Sequence, residues 1–592
     1  MMMRSPRPLW TLLSTCALWL FAFPGCDDSP SPGDPDAGIE DSGAPDASTP
    51  DSGPEDSGTS DAGSEDAGTP DAGPEDAGTP DAGPYVWDGT YVEQEDLGDW
   101  TDTGPRDTCR FLAENDPSPT ACESLEGFDL SSCDTDALAS LEQRGIYRGW
   151  ARSDRVVPPG EPARDGSGRQ SVGFRLFDDG TPDTQGSNTV IQRQTRDGKF
   201  YLVSQRTHPV TGTVTLALAG CHVPRPGVIT GCFVNCSTKG FYSRNMGTFE
   251  VHRLAWSGRE AESSGGLKLV SERATPVGLP VDVFVAQEHA YVVSENRSPR
   301  VGGLSVFDVR DRKNPVLKTT LSLPGDTSWN GVWAHGNALY IASNVSGVVV
   351  YDISQPGAPT FVRVLTADFG VHTVLVDGER LYAMSPSAGT FVYDVSTPLE
   401  PRLVTLINLP EEFSIGGPHD AFAYQGRLHI SNAYSGYSVV DVTNLEDVRH
   451  LGQYSHHGFT FSHNSAVGTF GGRTIAFVGG EFEGSYVRVL DTSDPVRMPK
   501  LGEFRMRAIT SMHNLLLRGN LLYVAWYHEG LRVLDVSNPT QPRQVAHFNT
   551  FQETDPYRID GIFDGAFGVR IPGDGHVYVV DSSRGLLILN EL

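Results

Sequence analysis

The chain has 592 residues, a formal net charge of -30, 38% hydrophobic residues and 20% charged residues. So acidic a chain lacks the basic surface that nucleic-acid binding needs, and no nucleic-acid partner is expected. Its length and apolar content suffice for more than one packed core.

Arg4 and Arg7 lead into the apolar run "LWTLLSTCALWLFAFPGC". That run has the length of a secretory h-region and is shorter than the ~20 residues that span a bilayer. Its end at Gly25-Cys26 resembles the bacterial lipoprotein box, in which a small residue precedes a cysteine that is acylated and becomes the new N-terminus. Residues 1–25 are therefore read as a lipoprotein signal peptide and Cys26 as the lipidation site. The resemblance implies a protein anchored by lipid to a membrane of the cell envelope, at the outer membrane or cell surface or at the periplasmic face. Residues 26–84 follow, built from acidic residues, Pro, Gly, Ala, Ser and Thr, with 17 Asp plus Glu and no Lys or Arg between 27 and 84. Such a segment cannot bury enough apolar surface to offset its ordering entropy, so it is expected to form a disordered tether.

Residues 85–264 hold the remaining cysteines, Cys109, Cys122, Cys133, Cys221, Cys232 and Cys236. An even set in an exported chain predicts disulfides, and six cysteines allow about 15 pairings that sequence does not decide. Segments such as "QSVGFRLFDDG" and "GTVTLALAGC" alternate apolar and polar residues between turn residues. This is the period of antiparallel strands, and Asp197-Gly198 stands where a hairpin turn is wanted. A small disulfide-containing antiparallel β domain, sandwich or barrel, is expected.

From 265 to 592 one unit recurs: "GGLSVFDVRDRKNP", "SGVVVYDISQPGAP", "AGTFVYDVSTPLEP", "SGYSVVDVTNLEDV", "SYVRVLDTSDPVRMP", "EGLRVLDVSNPTQP" and finally "RGLLILNEL". The acidic position falls at Asp308, Asp352, Asp394, Asp441, Asp491 and Asp535, and is an amide at Asn590. Seven units of some 42 to 55 residues predict seven four-stranded blades. The fold class is thus all-β, a seven-bladed β-propeller preceded by the small β domain and the tether. The last unit ends after its third strand, so "GLKLVSERATP", Gly266 to Pro276, is expected to supply the missing outer strand and remove two exposed edges. Asp and Ser of each Asp-x-Ser are expected to bond turn amides. These units resemble the LVIVD-repeat family of bacterial exported proteins, which implies a propeller and an extracytoplasmic setting.

The start of the inner strand is the chemically interesting place. Asp282, Gly331, His372, His419, His463, His513 and Asp564 align there, so His372, His419, His463 and His513 are expected to face one axial channel. Such imidazoles suit a transition metal; a wet polar lining is the alternative. His456-His457 reads as a loop feature. Trp329, Trp333, Trp526, Tyr434 and Tyr437 would serve either as packing or as a stacking platform for a glycan or peptide. No nucleophile elbow, phosphate loop or dinucleotide fingerprint appears, and no catalytic residue is assigned. Two functions stay open: a lipid-anchored binding or scaffold module for a protein or glycan partner, or a metal-dependent oxidase or hydrolase at the histidines.

Overall fold

The structure, a computed structural model, describes residues 86–592 apart from 117, 142–143, 167, 179, 181, 187, 366–368, 456–457 and 459–460. The signal, Cys26, the tether and the pair His456-His457 lie outside the described residues.

Seven antiparallel blades form the propeller. Blade 1 shows the pattern, with strands Leu279–Ala286, His289–Glu295, Gly303–Asp308 and Val316–Leu321 from inside to outside. Each blade is packed between two neighbours, so its middle strands are buried on both faces and read as nearly continuous apolar runs. "GLSVFD" is buried throughout, whereas the outermost "VLKTTL" is largely exposed. Blade 7 takes its fourth strand from upstream, where Leu269–Arg273 pairs with Gly585–Asn590 in the register Leu269↔Leu589, Ser271↔Ile588, Glu272↔Leu587 and Arg273↔Leu586. The expected closure is therefore present. Asn590 explains its own departure from Asp. Its Oδ1 accepts from the Lys268 amide at 2.6 Å and its Nδ2 donates to the Gly266 carbonyl at 3.2 Å, a donation no carboxylate can make.

The repeated aspartates work in turns, as expected. Asp352, Asp394, Asp441, Asp491 and Asp535 each accept from the amide two residues on, at 2.8–3.0 Å. These local bonds fix the exit from the third strand and leave the carboxylates at the rim, away from the channel.

The β domain is a closed barrel. Its strands run from Gly145–Val157 to Arg244–Arg253, and those two pair with each other to close the sheet. Asp197 and Gly198 both hold positive φ, at 56° and 72°, in the predicted turn. Three disulfides, Cys109–Cys232, Cys122–Cys236 and Cys133–Cys221, fasten the segment ahead of the barrel onto strands Gly212–Arg225 and Val228–Ser237. Residues 86–100, grouped with the β domain by sequence, instead pack on the propeller. Trp87 enters the core between blades 5 and 6, and the Gln94 amide donates to the Lys500 carbonyl on the outermost strand of blade 5. Ser263–Ser264 likewise pairs with blade 6.

Barrel and propeller meet through Ile146, Trp150 and Leu254 on one side and Ile509 and Phe551 on the other. Beside this contact Glu529 is fully buried among Arg507, Arg532 and Arg259. Burial alone opposes its ionisation, but the three guanidinium groups outweigh it and hold the carboxyl at about 2. Because this folded value is depressed, its stabilisation is present above the unfolded value near 4.5 and is lost as pH falls toward 2. The loss is of order 3 kcal/mol. In urea titrations at pH 7, 4.5 and 3, the wild-type midpoint should fall steeply below pH 4.5. Glu529→Gln should be less stable at pH 7 and show a shallower acid dependence; parallel curves would refute this assignment.

Candidate metal centre

A β-bulge opens the inner strand of four blades and sets the site. The register steps from Pro280↔Ser294 to Asp282↔Val293, from Trp329↔Ser343 to Gly331↔Ala342, from Ser462↔Gly480 to Asn464↔Gly479, and from Ala566↔Asp581 to Gly568↔Val580. The extra residues are Val281, Asn330, His463 and Phe567. In the other blades His372, His419 and His513 hold this place, their amides donating at 2.8 Å to the second-strand carbonyls of Met384, Ser431 and Ala525. A bulge re-aims a side chain that strict alternation would send to the opposite face. The histidine and its successor can then both reach the channel.

This register corrects the sequence alignment. The histidines share their level with Val281, Asn330 and Phe567. Asp282 and Gly331 fall one residue later, level with Thr373, Asp420, Asn464 and Asn514. Asp564 lies in the loop before blade 7, paired with Arg558 at 3.0 Å. The unpaired bulge residue leaves no mark in a period-2 pattern, which is why the alignment slipped.

All four histidines are brought together. Successive ring centroids lie 4.1, 4.4 and 4.3 Å apart from His372 through His419 and His463 to His513. The sequence reading missed the group they surround, Glu481, on the loop joining the second and third strands of blade 5. Its carboxylate oxygens lie 3.5 Å from His463 Nε2, 3.8 Å from His513 Nε2 and 3.9 Å from His419 Nε2. A tetrahedral ion with bonds of about 2.0–2.2 Å has donors about 3.4 Å apart; His419, His463 and Glu481 bring ligand atoms within 4.8 Å of one another, while His513 approaches Glu481 but lies outside that group. His372 stands differently: its Nε2 is 3.1 Å from the Asn330 amide nitrogen, which also donates to the His372 carbonyl at 3.0 Å.

The tautomers point the same way. His463 Nδ1 is 3.0 Å from the His513 carbonyl, and His513 Nδ1 is 3.0 Å from the Phe567 carbonyl. A carbonyl only accepts, so each Nδ1 carries the proton and each Nε2 turns a lone pair toward Glu481. Such a backbone partner on the far nitrogen is the usual support of a ligating histidine. Burial holds all four imidazoles neutral, with His372 at about 4, His513 at about 3, and His419 and His463 well below the usual range. Burial also pushes Glu481 up to about 8, with neighbouring Glu295 adding to the rise and the Tyr527 hydroxyl, which donates to Glu481 at 2.7 Å, opposing it. Glu295 itself is raised to about 7 by burial. The cluster is thus rich in lone pairs and short of positive charge.

Aromatic rings wall the mouth. Phe461 stands 5.2 Å from His419 and 5.2 Å from Phe482, Phe482 is 6.1 Å from Phe563, and Tyr527 is 5.8 Å from Phe563 and 5.4 Å from His513. Beneath the histidines, Asp420 accepts from Asn464 Nδ2 at 2.5 Å and Asn464 accepts from the Leu515 amide at 2.9 Å, stapling adjacent blades. Deeper still, the Arg570 guanidinium lies 4.6 Å from both the Phe284 and Trp333 rings. Of the aromatics offered as a stacking platform, Trp329, Trp526 and Tyr437 are fully buried and serve as packing; only Tyr434 is exposed.

The LVIVD repeat family matches at residues 324–366 and 511–550, within blades 2 and 6. No curated protein matches the chain by sequence. Among solved structures it is similar to the WD40 β-propeller domain of Doa1 (12% identity, TM-score 0.41, covering 55% of this chain and 98% of that one). It is also similar to the β-propeller domain of Myceliophteria thermophila Cps50 (Swd1), at 11% identity and TM-score 0.40, covering 54% and 99%. A third is the computationally designed Ika8 protein, at 10% identity and TM-score 0.37, covering 62% and 95%.

Proposed function

We propose that this LVIVD-repeat propeller is an exported, lipid-anchored binding module whose ligand is a divalent transition-metal ion held by His419, His463, His513 and Glu481. One observation carries the reading: three imidazole Nε2 atoms approach one buried carboxylate at 3.5–3.9 Å, two of them in a tautomer that leaves the lone pair free. Imidazole with carboxylate suits zinc, copper, iron or nickel over calcium or magnesium. With His513 drawn in to join His419, His463 and Glu481, four donors would fill a tetrahedral shell, and closed shells hold ions where open ones do chemistry. On this reading, with His513 as fourth ligand, the ion is held and not used by a metal-dependent oxidase or hydrolase. Elemental analysis of the purified chain should find about one transition-metal ion per molecule, and His419→Ala with His463→Ala should abolish it while the fold persists. A metal-free wild type after loading with zinc or copper would end the proposal.

The outer strands of blades 1 to 3 leave Val316, Leu317, Phe361, Leu403, Val404 and Leu406 exposed, which supports a scaffold role toward a protein or glycan partner. Membrane attachment rests on Cys26. Cys26→Ala should move the protein from the membrane fraction to the soluble fraction, and continued sedimentation with membranes would refute the anchor.

A further inference from the structure

Two loops close the channel mouth. Residues 481–486 carry Glu481, Phe482 and Glu483, and the stretch before blade 7 carries Phe551, Arg558, Asp560 and Phe563. Phe482 and Phe563 touch above the imidazoles. His372, His419, His463 and His513 are all buried, and at this end of the channel the rings of these loops stand over them.

The barrel grips both loops through one side chain. Arg148, itself buried, pairs through Nη2 with Glu483 and donates through Nη1 to the Asp560 carbonyl at 2.8 Å, while Nη2 also donates to Ser171 Oγ at 2.6 Å. Arg169 adds a bond to the Glu483 carbonyl at 3.2 Å. The Gly186 amide donates to Asp560 Oδ2 at 2.8 Å. Gly173 allows this approach, since a Cβ there would sit 2.3 Å from the Asp560 carbonyl oxygen.

We infer that Arg148 is the latch of the channel, and that barrel docking through it governs passage of ions to and from the His–Glu cluster; this rests on the metal reading above. The physical lever is Glu483. Two residues from Glu481, it is buried against the guanidinium, and without that partner a buried carboxylate is driven toward water, drawing its loop outward. Phe482 leaves with it. The barrel thus acts on the centre without contributing a ligand.

The test uses the full chain with its disulfides intact and does not require a metal. Diethyl pyrocarbonate acylates neutral imidazole nitrogen, and peptide mass spectrometry reads each histidine separately. In metal-free protein, Arg148→Gln should raise the modification rates of His419, His463 and His513 by about tenfold or more, leaving His335 at the wild-type rate. Glu483→Gln should act in the same direction and carries the test if the first variant fails to fold. The double variant, with neither charge left buried, should react more slowly than either single variant, which a merely weakened fold would not do. In metal-loaded protein, Arg148→Gln should release zinc to EDTA faster at unchanged stoichiometry. Unchanged rates at the three histidines, or an equal rise at His335, would overturn the latch. A wild type that binds no metal would sink the metal reading alone, leaving the latch to be decided by the acylation rates.

Discussion

Replacing residues 267–273 by a Gly-Ser run of equal length is expected to open the propeller. Leu267 is buried with Leu587 and Leu589 in one core cluster, and residues 269–273 form the ladder that covers Leu586 to Leu589. A single buried leucine lost to Ala costs about 2–5 kcal/mol, and here a strand goes with it. The melting temperature should fall by ~10 °C or more. The uncovered third strand of blade 7 presents unpaired backbone groups between apolar side chains, a template for another chain, so concentration-dependent dimers should appear in size-exclusion chromatography. A monomer that melts with the wild type would show that the ring does not depend on its upstream strand.

Arg488→Ala is expected to destabilise by about 3–5 kcal/mol, because it strands two buried carboxylates. Arg488 is fully buried; its Nε donates to Asp96 Oδ2 at 2.7 Å and its Nη2 to Asp99 Oδ1 at 2.8 Å. Tyr454 donates to Asp96 at 2.6 Å, Tyr486 donates to the other Asp96 oxygen, and the guanidinium stacks 4.0 Å over the Tyr486 ring. This knot ties the segment 86–100 to blade 5, so its failure should free that segment to proteolysis before the propeller unfolds. Arg488→Met with Asp96→Asn and Asp99→Asn removes every charge together and should recover most of the loss. If the triple variant were no more stable than Arg488→Ala, packing and not charge would hold the knot.

The reach of the sequence differs from element to element for physical reasons. The closing strand was legible because "GLKLVSERATP" shares its apolar spacing with the other outer strands, and covering an edge demands that pattern. The four histidines were legible because one position in a duplicated unit keeps one place in space. Glu481 was not, since it lies just past the second strand, where the register gives it one acidic counterpart, Glu295 of blade 1, while blade 6 places Tyr527 there, too little repetition to mark it. Nor was Asn330, whose level was hidden by the bulge that displaced Asp282 and Gly331 in the alignment. The six cysteines announced disulfides, but their pairing depended on barrel strands whose order only the fold reveals. Arg148 reads as an ordinary strand residue in "GIYRGWARSD" until the barrel is set against the propeller.

The most direct measurement is X-ray absorption at the zinc edge of the zinc-loaded chain, which counts and identifies donors whatever the ion's purpose. The account predicts one tightly held ion with four nitrogen or oxygen donors at about 2.0–2.1 Å, three with the multiple scattering of imidazole, and one donor altered in Glu481→Gln. A sulfur shell, a shell of water oxygens alone, or a spectrum untouched by Glu481→Gln and His463→Ala would contradict it.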